Sequence, residues 1–195
     1  MIQGVIFDLD GTLADSQLDF EAMRDEMQLP AGQPILEAVA ALPAERQHEC
    51  HAILRRHELE GAARATLLPG AGELLSELES RSMPISIVTR NSREVTAATL
   101  SKLGIRSSLV ITRDDGPVKP DPWGALEIIR HWKFDPRSLV MIGDWVFDIA
   151  CGHAAGTWTV LLTSSDDEAR CTPQPDLILP SLAHYDELLA WIDDR

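Results

Sequence analysis

Cysteine is scarce in this sequence: the 195 residues include three, Cys50, Cys151 and Cys171. Their number is odd and they lie far apart, so they match neither a disulfide framework nor the spacing of a zinc site. Disulfides persist mainly under oxidising conditions, and sparse cysteine is typical of proteins from a reducing compartment. We therefore expect a chain whose stability rests on its hydrophobic core.

Long hydrophobic runs are also absent. No stretch approaches the roughly 18 apolar residues needed to span a bilayer. The first residues lack the basic segment and the following long apolar segment that are typical of a secretory signal. These two absences predict a cytoplasmic protein that does not contact a membrane.

Basic residues are few compared with acidic ones. Lys and Arg number 17 against 31 Asp and Glu, so the formal net charge is −14. Affinity for a phosphate backbone depends on basic residues, and a nucleic acid partner is therefore disfavoured. A small anionic substrate is still compatible with this charge, because a bound metal ion and a few local cations can reverse the local field.

Helices and strands alternate along most of the chain. With 45% hydrophobic residues, the sequence can form a real core of one domain with a modest insertion. Strands separated by helices predict right-handed βαβ units and a mostly parallel α/β sheet. The predicted strands are residues 3–7, 85–88, 109–111, 139–142, 157–162 and a possible edge strand at 177–179. The predicted helices are residues 71–81, 92–103, 122–132, 148–155 and 181–192.

Residues 17–61 break this alternation. Leu18, Met23 and Met27 recur at helical intervals among charged residues. Pro34 suits a first helical position, and residues 43–63 have the pattern of a further helix. The stretch therefore predicts an all-helical insertion after the first strand.

Several polar residues follow the predicted strands directly. The carboxyl ends of parallel strands meet at one edge of a sheet, where ligands of such sheets bind. Asp8 and Asp10 follow the first strand on the same side, because strand side chains alternate. The other members of this predicted site are Thr89, Arg90, Asn91, Lys119, Asp144 and Asp148.

The residue types at this edge favour phosphoryl chemistry. Clustered aspartates call for a hard cation, and oxygen ligands indicate Mg²⁺, which shares its ligands readily with phosphate. Lys119 would add a point charge suited to phosphate, and Thr89 can donate to a phosphoryl oxygen. A carboxylate can attack phosphorus, and a second carboxyl can act as general acid and base.

Four segments resemble the motifs of the haloacid dehalogenase superfamily, in the family's order. Asp8 to Ser16 (DLDGTLADS) resembles the first motif of its phosphatase branch, Val88 to Asn91 the second, Lys119-Pro120 the third, and Gly143 to Ile149 the fourth. The set spans residues 8–156, and each motif follows a predicted strand. The resemblance is to the phosphoglycolate phosphatase-like members with a short C1-type cap.

This resemblance implies a fold and a set of roles. The fold is a three-layer, Rossmann-like, doubly wound parallel sheet (residues 1–15 and 69–195) with a small helical cap (residues 16–68), called the cap segment below. Asp8 is implied as nucleophile and metal ligand, and Asp10 as general acid/base whose backbone carbonyl also touches the metal. Thr89, with its neighbours Arg90 and Asn91, and Lys119 would hold the phosphoryl group. Asp144 would ligate Mg²⁺, and Asp148 would do so directly or through water.

Other positions separate branches of the family. Dehalogenases of the family lack an aspartate two residues after the nucleophile, so Asp10 favours phosphoryl transfer. The phosphonate-cleaving branch uses a lysine of the cap, and residues 16–68 contain none. Trp145 stands where a small polar residue is common, and it could line the substrate entrance or, slightly favoured, pack under the cap segment.

Four arginines of the cap segment, Arg24, Arg55, Arg56 and Arg64, have two interpretations. They could reach an anionic substrate tail, but solvated i, i+4 pairs with Glu and Asp, which would stabilise the cap segment, account better for most of them. Arg90, beside Thr89, is the better candidate for a substrate contact.

The sequence as a whole predicts a Mg²⁺-dependent phosphatase of a small phosphorylated metabolite, acting through an aspartyl-phosphate. Two alternatives stay open at this point. One is a phosphomutase of the same superfamily, and the other is a catalytically idle regulatory or binding module.

Overall fold

The computed structural model describes residues 1–164 and 172–195. Cys171 lies outside the described residues, and the two described cysteines, Cys50 and Cys151, are buried and free. The strands are β1 (Gly4–Phe7), β2 (Ala14–Asp15), β3 (Thr66–Leu67), β4 (Ile85–Val88), β5 (Leu109–Ile111), β6 (Leu139–Gly143), β7 (Trp158–Leu162) and β8 (Leu177–Leu179). The α-helices are α1 (Phe20–Met27), α2 (Ile35–Ala40), α3 (Ala44–Arg64), α4 (Ala71–Ser80), α5 (Arg93–Leu103), α6 (Trp123–Trp132), α7 (Val146–Ala155) and α8 (Tyr185–Asp193).

Six strands form one parallel sheet in the order β5-β4-β1-β6-β7-β8. Side chains alternate along β1, so Val5 and Phe7 enter one hydrophobic cluster with α4 and α8. Ile6 points to the other face, into a cluster with α6 and α7. Helices therefore cover both faces of the sheet, and the predicted three-layer, doubly wound α/β fold is confirmed. The predicted edge strand β8 lies at the edge.

Local signals in the sequence define the helix ends well. Ser92 caps α5 by accepting a hydrogen bond from the backbone N–H of Val95, and Gly104 ends the helix in the left-handed conformation. Helix α7 begins at Val146, two residues earlier than predicted. The reason is that Asp148 stands in the first turn and accepts a hydrogen bond from the backbone N–H of Trp145 at 3.0 Å.

Helices α1, α2 and α3 occupy most of the cap segment and enclose a hydrophobic cluster of their own. Met23, Met27, Val39, Cys50 and Leu54 are among its buried members. The chain enters and leaves this helical region through an unpredicted antiparallel pair, β2 and β3, so the segment is not entirely helical. Two-residue strands are too short to show an alternating pattern, which is why the sequence did not indicate them.

Among the described residues, the longest helix is α3, which carries many charged side chains and a largely polar surface. None of the described helices combines the length and the apolar character that a membrane span requires.

Candidate active site

The candidate site lies at the carboxyl edge of the three central strands. Asp8 follows β1, Thr89 follows β4 and Asp144 follows β6, and these strands are neighbours in the order β4-β1-β6. The backbone N–H of Asp8 donates to the carbonyl of Ile142 and that of Thr89 to the carbonyl of Ile111. The hydrogen bonding of the sheet therefore continues up to Asp8 and Thr89 and fixes the backbone of both residues.

Lys119 is the cation at the centre of the site. Its Nζ lies 2.6 Å from a carboxylate oxygen of Asp8 and 2.6 Å from one of Asp148. The side chains of Lys119 and Asp148 are each 1% exposed, whereas that of Asp8 is 15% exposed toward the cavity. The arrangement buries the lysine and presents Asp8 to an incoming group.

Three carboxylates converge beside this lysine. Oxygens of Asp8, Asp144 and Asp148 all lie within 4.8 Å of one another. One lysine does not balance three carboxylates, so negative charge is left over. Hard oxygen donors with surplus negative charge are the ligand set that Mg²⁺ prefers, and these residues fit such an ion.

Two glycines make this convergence possible. Gly11 has a φ of +79°, and a Cβ at this position would overlap the carboxylate of Asp144. A Cβ on Gly143, the last residue of β6, would overlap the carboxyl group of Asp148. Both positions bring backbone against a carboxylate of the cluster.

The crowding is visible in the pKa values. Burial raises the pKa of Asp144 to about 7, and the charges of Asp8 and Asp148 act in the same direction. Burial alone would lower the pKa of Lys119, but the charges of Asp148 and Asp8 outweigh it, and the pKa is raised. Lys119 is therefore charged at every physiological pH, while Asp144 is poised to exchange its proton for a cation.

Asp10 has an environment of its own. One carboxylate oxygen accepts a hydrogen bond from the hydroxyl of Ser16 and the other accepts one from the side-chain amide of Asn91. Burial raises the pKa of Asp10, and these two hydrogen bonds lower it without offsetting the burial. A carboxyl group with a raised pKa suits a general acid. The side chain of Asn91 is engaged with Asp10, and its predicted phosphate contact stays a prediction.

Arg90 faces the cap segment. Its guanidinium donates to both carboxylate oxygens of Glu37, at 2.7 and 2.8 Å, and to the backbone carbonyl of Lys119. The same group stacks over the ring of Phe147 at 5.0 Å. Arg90 thus connects α2 with the backbone of Lys119 and with the ring of Phe147. Its predicted contact with the phosphoryl group stays a prediction.

Comparison with known proteins agrees with this geometry. The family model of haloacid dehalogenase-like hydrolases matches residues 5–162, which is most of the chain. The chain belongs to this family. A haloacid dehalogenase-like hydrolase domain-containing protein of Arabidopsis thaliana is 30% identical to this hydrolase over 96% of the chain and 84% of the relative.

A phosphoglycolate phosphatase of Yersinia pseudotuberculosis is also 30% identical, over 96% of this chain and 92% of the relative. Among solved structures, a haloacid dehalogenase-like hydrolase of Bacteroides fragilis superimposes with a TM-score of 0.80, at 21% identity, over 95% of this chain and 100% of the other. The structural likeness supports the fold, and the relatives that match this hydrolase include phosphatases.

The hydrolase has a cavity of about 630 Å³ between the carboxyl edge of the sheet and the cap segment. Asp8, Asp10 and Thr89 form part of its wall on the core side. Trp145 lines it too and is 58% exposed, so the slightly favoured expectation that this ring packs under the cap segment is wrong. The other expectation, that Trp145 lines the substrate entrance, stays a prediction.

Sequence reasoning missed a buried ion pair that also lines the cavity. Arg113, just after β5, donates to both oxygens of Glu58 on α3, at 2.6 and 2.8 Å. The side chains are 15% and 5% exposed. The position of Arg113 after a strand was an available signal, but nothing in the sequence of α3 distinguishes Glu58 from the other glutamates of that helix.

Most arginines of the cap segment make polar contacts within the protein. Arg55 pairs with Glu94 of α5 at 2.6 Å, Arg56 pairs with Glu26, and Arg64 donates to the backbone carbonyl of Gln17. Arg24 lines the cavity and donates to the backbone carbonyls of Gln33 and Phe20, at 3.1 and 3.2 Å. The predicted i, i+4 pairing holds for Arg56, which also lies 3.7 Å from Glu60, and it is wrong for Arg55, whose partner Glu94 lies on α5.

Proposed function

We propose that this hydrolase is a Mg²⁺-dependent phosphatase that cleaves a small phosphomonoester through an aspartyl-phosphate on Asp8. The observation that carries the proposal is the cluster of Asp8, Asp144 and Asp148 around the buried Lys119. Asp8 and Asp144 of this cluster line the cavity, so a substrate can reach Asp8, whereas Asp148 is buried behind them.

Asp8, Asp144 and Asp148, with the backbone carbonyl of Asp10, would hold the metal. When bound, Mg²⁺ would neutralise charge on the carboxylates and on the phosphoryl oxygens, so that two anionic groups can approach each other. The hydroxyl of Thr89 and the ammonium of Lys119 would orient the phosphoryl group from the side of the sheet.

The reaction would proceed in two displacements. In the first, a carboxylate oxygen of Asp8 attacks phosphorus, the bond from phosphorus to the leaving oxygen breaks, and Asp10 gives its proton to that oxygen. In the second, Asp10 takes a proton from a water molecule whose oxygen attacks phosphorus. The bond between phosphorus and Asp8 then breaks, which releases inorganic phosphate and restores both aspartates.

The test is Mg²⁺-dependent release of inorganic phosphate from p-nitrophenyl phosphate by the full chain. We expect Asp8→Asn to lower kcat by about a thousandfold or more, because an amide is a poor nucleophile. Asp186→Asn, at an exposed aspartate of α8, is the matched control and should retain wild-type turnover. Full Mg²⁺-dependent turnover by Asp8→Asn would contradict the mechanism. Release of free phosphate from an alkyl phosphate would separate a phosphatase from a phosphomutase.

A further inference from the structure

Two exposed aromatic rings line the cavity, one from the cap segment and one from the core. Phe20, the first residue of α1, is 50% exposed, and Trp145, after β6, is 58% exposed. Both line the cavity, although large hydrophobic side chains that are this exposed are few in the described part of the chain. Rings left in solvent at a cavity mouth cost hydrophobic free energy, which contact with an apolar surface of a ligand would recover.

The ring of Phe147 extends this apolar surface inward. It lines the cavity, is half-buried and is held from behind by the guanidinium of Arg90. Leu18, Ile35 and Leu36 of the cap segment line the cavity as well. The part of the cavity beyond the aspartates is therefore largely apolar and has flat aromatic faces.

The arginines that line the cavity are already engaged. Arg113 uses two guanidinium nitrogens on Glu58, and Arg90 uses one on Glu37 and another on a backbone carbonyl. Arg24 donates to two backbone carbonyls. A carboxylate on the leaving group would find a cation already neutralised by a glutamate at two of the three positions, Arg90 and Arg113.

Carboxylates add to this discrimination. Asp15 and Glu21 line the cavity in addition to the aspartates of the site. These side chains accept hydrogen bonds from hydroxyl groups, and they repel a second negative charge on the substrate. Flat apolar rings together with carboxylate acceptors are complementary to a ring that has apolar faces and a hydroxylated edge.

We propose that the leaving group of the substrate is an uncharged, hydroxylated ring, as in a sugar or cyclitol monophosphate, with its faces against Phe20 and Trp145. This inference rests on the proposed function and names its substrate class. The volume of about 630 Å³ accommodates such a ring.

The test compares kcat/KM of the full chain with Mg²⁺ for three kinds of phosphomonoester. The first is a panel of aldose, ketose and cyclitol monophosphates, the second is glycerol 3-phosphate, which is uncharged and ringless, and the third is phosphoglycolate, which is ringless and anionic. We expect the best ring substrate to exceed both ringless compounds by about tenfold or more.

Variants test whether the rings produce this preference. Trp145→Ala and Phe20→Ala should each lower the ratio of kcat/KM for the best ring substrate to that for glycerol 3-phosphate by about three- to tenfold. Trp145→Phe should restore most of the ratio. Leu126→Ala is the matched control, because Leu126 is an exposed hydrophobic residue of α6 that does not line the cavity.

The outcomes separate this inference from the proposed function. Preference for phosphoglycolate, or an equal loss on ring and ringless substrates in Trp145→Ala, would overturn the inference while the phosphatase mechanism stands. Failure to hydrolyse p-nitrophenyl phosphate and every compound of the three groups would overturn the proposed function, and the inference with it.

Discussion

Lys119 shows how much of this site depends on the balance of charge around single residues. One buried ammonium lies 2.6 Å from each of two carboxylates, and a third carboxylate, Asp144, has no such partner. Burial and the neighbouring charges raise the pKa of Asp144 to about 7 in the metal-free protein. Asp144, which forms no ion pair with Lys119, is thus the carboxylate for which a cation would relieve the most unfavourable environment.

This imbalance predicts the pH dependence of Mg²⁺ binding. Below pH 7 Asp144 holds a proton that the ion must displace, and above pH 7 it is ionised, so affinity should rise by about tenfold from pH 6 to pH 8. Isothermal titration calorimetry in buffers of different ionisation enthalpy would also show release of nearly one proton per ion at pH 6. Asp144→Asn should bind Mg²⁺ weakly and with a much smaller pH dependence, which is left to Asp148 because burial raises its pKa to about 6. An affinity equal at both pH values in the wild-type chain would contradict the prediction.

At the scale of elements, α3 connects the cap segment to the core through two ion pairs of different kinds. Glu58 and Arg113 are buried beside the cavity, and burial raises the pKa of Glu58 even though the Arg113 guanidinium opposes the shift. Arg55 and Glu94 join α3 to α5 on the surface, with side chains 58% and 52% exposed. A buried and an exposed ion pair of the same helix can therefore be compared for their effect on stability.

We predict that the buried pair matters far more for stability. Glu58→Ala leaves Arg113 uncompensated in a desolvated place, and the free energy of unfolding should fall by about 3 kcal/mol. Arg55→Ala, the matched control, should have little measurable effect because solvent screens the exposed pair. Urea unfolding followed by tryptophan fluorescence measures both. The double variant Glu58→Met with Arg113→Met should regain much of the lost stability. Equal losses of stability in Glu58→Ala and Arg55→Ala would refute this account.

The molecule as a whole has a net charge of −14, whereas the proposed function requires its site to receive a dianion. The positive charges at the site, from Lys119 and a bound cation, must therefore outweigh the negative field of the whole chain. Ligands that complete the site should therefore stabilise the native state, because they bind the folded chain and not the unfolded one.

Thermal unfolding tests this coupling. Mg²⁺ together with beryllofluoride, a mimic of the phosphoryl group on an aspartate, should raise Tm by about 5–10 °C at a hundredfold excess over Kd. Beryllofluoride without Mg²⁺ should give a much smaller increment, and Asp8→Asn should lose the increment whatever its own Tm. An unchanged Tm in the wild-type chain would favour an idle binding module over a phosphatase.

Much of the fold could be predicted because its signals are local. Ser92 and Gly104 mark the ends of α5, and short apolar runs mark the strands. The rule that ligands bind at the carboxyl ends of parallel strands then placed Asp8, Thr89 and Asp144 at one edge, where the structure has them. The paired strands β2 and β3 escaped prediction, because two residues carry no periodicity.

The sequence by itself determined the parallel α/β architecture and the set of aspartates, since periodicity, turn residues and motif order are properties of neighbouring residues. Only the tertiary structure decided which distant side chains meet. It joined Glu58 to Arg113 and Asn91 to Asp10, and it left Trp145 exposed beside the cavity. Such contacts depend on how the cap segment packs against the core, where burial and desolvation act on residues tens of positions apart, and no local pattern records them.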